Sequence, residues 1–341
     1  MRIALIAAPF IAVPPRAYGG TELFVAHLAE GLRERGHDVV VYANGESTVR
    51  CPVRWVYAES QWPLRNAADG TLRNLHHTGW AVRDAAGDDF DVIHVNDANA
   101  LPFTGFTAKP SVLTLHHPHE PELSDFYQAY PDVTFVAISE DQRRRERMPR
   151  LRTIHHGLRT TDYRLGNGKR EYLCFLGRIT PEKGTHNAIE IARRTGIPLK
   201  IAGEVQPMFK AYWEREIRPH VDGRLIEYVG EATPDVKNEL FPHARALLFP
   251  IQWDEPFGLV MIEAMACGTP VLALRRGSVP EVVVDGVSGW TSDSVEELAM
   301  RASNLDLEPE RCRQYVAQRF SLERMVKDYE ALYASAAGAQ P

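Results

Sequence analysis

Residues 246–275 read ALLFPIQWDEPFGLVMIEAMACGTPVLALR. The two ends, 246–250 and 270–275, are short apolar runs bounded by turn residues, the pattern of strands buried on both faces of a parallel sheet. Between them Leu259, Ile262, Met265 and Ala266 recur at helical spacing, which predicts a short helix. Glu255 precedes Pro256 and is pushed into an extended conformation, off the helix and at the carboxyl edge of the first strand. Open parallel sheets bind ligands at that edge. Gly258 lets the backbone come close to a ligand, and the free N–H groups from about Gly258 to Val260 form an anion site that suits a diphosphate. Glu263, one turn into the helix, can accept two hydrogen bonds from a vicinal diol such as a ribose. Glu255 can likewise accept hydroxyls of a second ring beyond the phosphates. A single acid near a helix start would simply favour the helix dipole. Two acids flanking a glycine helix start, after a loop set by proline, ask for a chemical reason.

The composition bounds what that reason can be. At 341 residues, with 44% hydrophobic and 25% charged, the chain is ordinary globular protein, long enough for two domains. The net charge of −6, with no long basic tract, argues against a nucleic-acid partner. Cys51, Cys174, Cys267 and Cys312 are widely spaced and read as small core residues in a reducing, cytoplasmic compartment. The apolar start MRIALIAAPF is too short for a signal sequence, and no apolar stretch is long enough for a membrane span.

The first half repeats strand, loop and helix. Residues 2–8 predict a buried strand, 21–35 a helix stopped by Gly36, and 37–43 the next strand, a right-handed βαβ unit. Gly19 and Gly20, just before that helix, permit close backbone approach to a phosphate or sugar. Residues 91–96, 111–116 and 135–139 are further strands. Asp89-Phe90-Asp91 has metal-motif spacing but lies before its strand, at the edge opposite the ligand side, so it reads as turn capping. No other carboxylate, His or Cys spacing suggests a metal. His116 and His117 close the strand at 111–116 and point to opposite faces, which disfavours a shared ion. Arg143 to Arg150 form a basic run after 135–139; a solvated helix face is the favoured reading, and peripheral contact with anionic lipid is the alternative not favoured. A short strand at 153–157 and an aperiodic linker at 159–170 follow.

The second half restarts the pattern with a strand at 172–178, then Thr180-Pro181-Glu182 opening a helix. Gly177, Arg178, Lys183 and Gly184 bracket that loop. A planar guanidinium fork and a compact ammonium together suit a pyrophosphate leaving group, whereas either alone would be a surface charge. The glycine spacing and the missing Ser or Thr after the lysine rule out a P-loop. Strands at 199–203 and 225–230 and helices at 294–317 and 322–334 complete the expectation.

Glu255-Pro256-Phe257-Gly258-Leu259-x-x-x-Glu263 resembles, at every defined position, the signature E-P-F-G-L-x-x-x-E of the retaining GT-B glycosyltransferases of family 4 (glycosyltransferase group 1). Gly177-Arg178-x-x-x-x-Lys183-Gly184, Gly19-Gly20-Thr21-Glu22 and Thr114-Leu115-His116 match further family sequences, while His156-Gly157-Leu158-Arg159 departs from the family's linker, so His156 is given no role. The resemblance covers nearly the whole chain and is thin over 51–87. It implies an α/β GT-B fold, two doubly wound Rossmann-like domains facing across a cleft. Residues 1–158, completed by the C-terminal helix at about 322–341, would be the acceptor-binding domain, and 159–321 the donor-binding domain. It further implies a metal-independent, retaining hexosyltransferase that uses a UDP-, GDP- or dTDP-sugar as co-substrate, with no other cofactor, and a small-molecule, lipid-linked or glycan acceptor. Glu263 would hold the ribose, Glu255 the donor-sugar hydroxyls, and the amides near Phe257, Gly258 and Leu259 the diphosphate and sugar. Arg178 and Lys183 would stabilise the leaving diphosphate, with Gly177 beside them. Gly230 would line the base, Gly19 and Gly20 the cleft, and His116, or else His117, would face the donor sugar. The competing readings are a GT-B epimerase and a non-catalytic nucleotide-sugar binding module. A pyridoxal phosphorylase lacks a candidate Schiff-base lysine beyond Lys183.

Overall fold

A computed structural model describes residues 1–338 apart from Tyr18, Arg65 and Asn167. The chain divides into two compact α/β units: Met1–Gly157 joined by the segment from Leu322 onward, and Leu158–Ser321 between them.

The first unit carries a seven-stranded sheet of β1 (Arg2–Ile6), β2 (Asp38–Tyr42), β3 (Val53–Arg54), β4 (Val92–Val95), β5 (Ser111–Thr114), β6 (Thr134–Ala137) and β7 (Leu151–Thr153). The order is β3-β2-β1-β4-β5-β6-β7, and the pairings are parallel. Alternation along β1 divides the core, as strand geometry requires. Ile3 and Leu5 pack with Phe24, Val25 and Leu28 of the helix Gly20–Glu34 and with Met325, Val326 and Tyr329 of the C-terminal helix Leu322–Ala336. Ala4 and Ile6 pack on the other side with Ala81, Val82 and Ala85 of the helix Ala67–Gly87. A buried polar chain ties the C-terminal helix to this sheet. Tyr333 Oη meets His94 Nδ1 at 2.6 Å, His94 Nε2 meets Thr114 Oγ1 at 2.8 Å, and Thr114 Oγ1 meets Tyr329 Oη at 2.9 Å.

The second unit has a six-stranded sheet of β8 (Tyr172–Leu176), β9 (Leu199–Ala202), β10 (Ile226–Gly230), β11 (Ala244–Phe249), β12 (Val271–Leu274) and β13 (Gly289–Ser292), ordered β10-β9-β8-β11-β12-β13 and again parallel. The strand order reverses between β8 and β11, so the crevice beyond their carboxyl ends is where such a sheet takes a ligand. In the first unit the same switch lies between β1 and β4. The second unit's two ends lie together, for Leu158 donates its N–H to Phe320 O at 3.0 Å and bridges Ser321.

Several expected elements differ. The strand expected at 153–157 is Leu151–Thr153, because the register ends where Thr153 meets Ala137, the last residue of β6. The helix expected from Thr180 is a short turn, Pro181–Lys183, then left-handed Gly184, then the helix Thr185–Thr195. A Cβ on Gly184 would collide with Pro250 O, so the turn is pressed against the end of β11. The single helix expected over 294–317 is two, Val295–Ser303 and Pro309–Arg319, because Pro309 holds Glu308 extended. Residues 51–87, opaque in sequence, contain β3 and the 21-residue helix Ala67–Gly87, capped by Asn66 accepting from Asp69 N. Its buried face includes Gly70, Asn74, His77 and Thr78, too polar to show an apolar stripe.

Arg143 and Arg145 lie on the short helix Glu140–Arg145 and pair with Glu140 at 3.5 Å and Asp141 at 3.1 Å, as a solvated face would. No helix among the described residues is long and apolar enough to cross a membrane.

Candidate active site

The second unit assembles its site from loops at the carboxyl ends of β8, β10 and β11. Beyond β8, Gly177 donates its N–H to Ala202 O and half-buried Arg178 follows at the strand tip. The Pro181–Lys183 turn is tied to the loop after β11 by Gln252 N donating to Glu182 O at 2.7 Å. That tie delivers Lys183 to Glu255. Lys183 Nζ donates to Glu255 Oε2 at 2.7 Å, and Trp253 Nε1 donates to the same oxygen at 2.7 Å. The ammonium also lies 4.7 Å from the centroid of the Trp253 ring, within cation–π range.

The Glu255 backbone is fixed as tightly as its carboxylate. Ser278 donates N–H to Glu255 O at 2.9 Å and Oγ–H to Phe257 O at 3.0 Å. Gly277, at φ 56°, fits beneath, where any Cβ would run into the Glu255 N and O atoms. Gly258, at φ 78° and ψ 67°, then starts the helix Leu259–Ala266, whose first N–H groups lack acceptors within the helix.

Glu263, buried in that helix, is held by two residues that the sequence did not single out. Lys237 Nζ donates to Glu263 Oε1 at 2.8 Å and Oε2 at 3.1 Å, and Tyr163 Oη donates to Oε1 at 3.2 Å. Burial, and then the Glu263 charge, holds the Tyr163 phenol well above its ordinary range, so it is a donor. Lys237 belongs to the helix Pro234–His243, which follows β10 and Gly230. Gly230 has φ 89° and accepts from Gly203 N at 2.8 Å. Arg178, Lys183, Glu255, Phe257, Gly258, Leu259, Glu263, Gly177 and Gly230 therefore all lie at or beyond strand ends of this one unit.

In the first unit, Asn96 at the end of β4 donates Nδ2–H to Ile6 O at 3.1 Å, leaving Oδ1 to accept from His116 Nε2 at 2.9 Å. The His116 proton is therefore on Nε2 and Nδ1 is the acceptor. Burial, and then His117, pushes the His116 imidazole down to about 3, so it is neutral. It packs on Phe24 at 5.0 Å and stacks on His156 at 5.6 Å. His117, the alternate, is engaged by Tyr127 Oη and Pro118 O. Gly19 caps the helix Gly20–Glu34 with φ 151°. Beside it, buried Glu22 is pushed up to about 7 by desolvation. Asp91 accepts from Arg2 N at 2.7 Å and Asp89 pairs with the Arg2 side chain, at the amino edge of β4. Among the described residues no group of three or more His, Cys, Asp or Glu could hold a metal ion.

Two family models account for most of the chain. Residues 163–319 match "Glycosyl transferases group 1" and residues 18–172 match "Glycosyltransferase Family 4". The chain belongs to the family 4, group 1 glycosyltransferases. The alpha-maltose-1-phosphate synthase of Mycolicibacterium smegmatis is 26% identical to this glycosyltransferase, over 96% of this chain and 95% of that protein. The phosphatidyl-myo-inositol mannosyltransferase of the same organism is 27% identical, over 85% and 80%. HepE from Anabaena, crystallised with UDP and glucose, superposes with a TM-score of 0.79 at 19% identity, covering 98% of this chain and 100% of that one. The fold of this glycosyltransferase is GT-B, two parallel-sheet Rossmann-like domains.

Proposed function

We propose that this glycosyltransferase moves a sugar from a nucleoside diphosphate sugar to an acceptor hydroxyl, with retention at the anomeric carbon and without a metal ion. The observation that carries the reading is the pair of lysine-neutralised glutamates on either side of the Gly258 helix start. Glu255 with Lys183 and Trp253 suits a sugar ring, and Glu263 with Lys237 and Tyr163 suits a ribose.

When the bond between the anomeric carbon and the diphosphate oxygen breaks, its electron pair stays on the diphosphate. Lys183 keeps two N–H donors beyond the one given to Glu255, and Arg178 and the helix amides add fixed positive ends. The protein thereby supplies the cationic surroundings for which a metal is often used. Each carboxylate is committed to its own lysine, which disfavours a glycosidase acid and nucleophile pair. The first unit supplies the acceptor side in this reading. There Gly19 and Gly20 allow close backbone approach, while the neutral His116 keeps the donor-sugar role that the family signature implies. Retention is inferred from the family signature. Free, mostly buried cysteines support a reducing cytoplasm as the site of action.

A thermal-shift panel tests the reading. A matching nucleoside diphosphate or nucleotide sugar at about 100 times its Kd should add about 3 kcal/mol by linkage, with UDP first in line because HepE binds it. A flat response to UDP, GDP, dTDP and ADP alike would defeat it.

A further inference from the structure

We propose that Tyr163 is a positioning residue that leaves Glu263 able to take only one hydroxyl of the nucleotide ribose; the proposal rests on the ribose role given to Glu263 above. A carboxylate offers about four lone-pair positions. Glu263 Oε1 commits two, to Lys237 at 2.8 Å and Tyr163 at 3.2 Å, and Oε2 commits one, to Lys237 at 3.1 Å. One position on Oε2 is left.

The placement of Tyr163 is built. Arg313 donates to Tyr163 O at 2.8 Å, to Thr160 O at 2.6 Å and to Ala266 O at 2.7 Å. Ala266 is the last residue of the helix that carries Glu263. Gly166 N donates to Cys267 O at 3.0 Å just beyond it. The segment that opens the second unit is therefore pinned along the helix end on both sides of Tyr163. Its phenol, kept protonated by burial, meets the carboxylate from that pinned backbone. Lys237 comes from a different helix and neutralises the charge, so losing the phenol frees a lone pair while the carboxylate stays paired.

Isothermal titration of the purified protein with UDP and GDP, each also in 2′-deoxy and 3′-deoxy form, tests the proposal against wild type and Tyr163→Phe. In wild type, one deoxy form should bind about tenfold more weakly and the other within about twofold of the parent. In Tyr163→Phe a second lone pair opens on Oε1, so both deoxy forms should lose affinity. A merely structural role would shift all three ligands of a series together and leave their ratios unchanged. Equal losses for both hydroxyls in wild type, or the same one-sided pattern in the variant, overturns the proposal while the ribose reading stands. Affinity indifferent to both hydroxyls removes the ribose reading and the proposal with it.

Discussion

Lys183 and Glu255 meet Nζ to Oε2 at 2.7 Å although 72 residues separate them in the chain. Their side chains are 15% and 10% exposed, so the pair is largely withdrawn from water. Removing one partner strands the other's charge. Lys183→Met should therefore cost about 3 kcal/mol of stability, and less when Glu255→Gln is combined with it. It should also slow donor turnover about a hundredfold through loss of charge at the diphosphate. A double-mutant cycle in urea, with steady-state rates on the same proteins, checks both statements.

Glu263→Gln should weaken free nucleoside diphosphate as much as the intact nucleotide sugar, by about tenfold or more. The ratio of the two dissociation constants is the measurement. A loss confined to the sugar nucleotide would move Glu263 off the ribose.

Gly277→Ala should abolish activity without any change in a charged group. The new methyl would collide with Glu255 N and O at a backbone φ of 56°, so the Glu255 loop must shift. We expect at least about 2 kcal/mol of destabilisation. Gly286→Ala is the control, because at φ 71° its new methyl would make only ordinary contacts with the Trp290 ring. That variant carries the backbone strain without the collision, so it should lose less stability and keep its turnover. Urea denaturation and steady-state rates on the two variants make the comparison.

Added chelator should leave turnover unchanged if, as proposed, side chains and backbone dipoles meet the charge on the leaving group. A fall of about tenfold or more, restored by one divalent ion, would place a metal in the reaction.

Acid should loosen the first unit through its buried histidines. Burial pushes His94 down to about 3 and His77 down to about 4, so both are neutral in the folded protein. In the unfolded chain they titrate near the ordinary value. The unfolded state thus binds more protons as pH falls, and stability present above about pH 6.5 drains away toward pH 4 to 3. At pH 5 each group should cost about 2 kcal/mol. Denaturation of wild type and His94→Gln at pH 7 and pH 5 checks this, since the variant should lose less between the two.

The second unit's sheet was legible because residues 246–249 and Val271–Leu274 are unbroken apolar runs around a short helix, and a parallel sheet follows from that order. Glu255, Glu263, Arg178 and Lys183 stood out because proline, glycine and charge sit together at strand ends. Lys237, Tyr163 and Trp253 did not. Lys237 lies on a helix with no motif and finds Glu263 only when two helices pack, and Tyr163 lies in a stretch without periodicity. The helix Ala67–Gly87 was missed because its inward face is made of small and polar residues.

Leu158 and Ser321, the first and last residues of the second unit, run side by side. A polypeptide that enters and leaves through one doorway is a cassette, and it can be lifted out with its termini already adjacent. Residues 158–321 made alone should fold and keep whatever nucleotide affinity the intact enzyme has. On the proposed reading, in which this unit holds the nucleotide sugar, exchanging one such cassette for another between relatives would swap donor choice as a single piece.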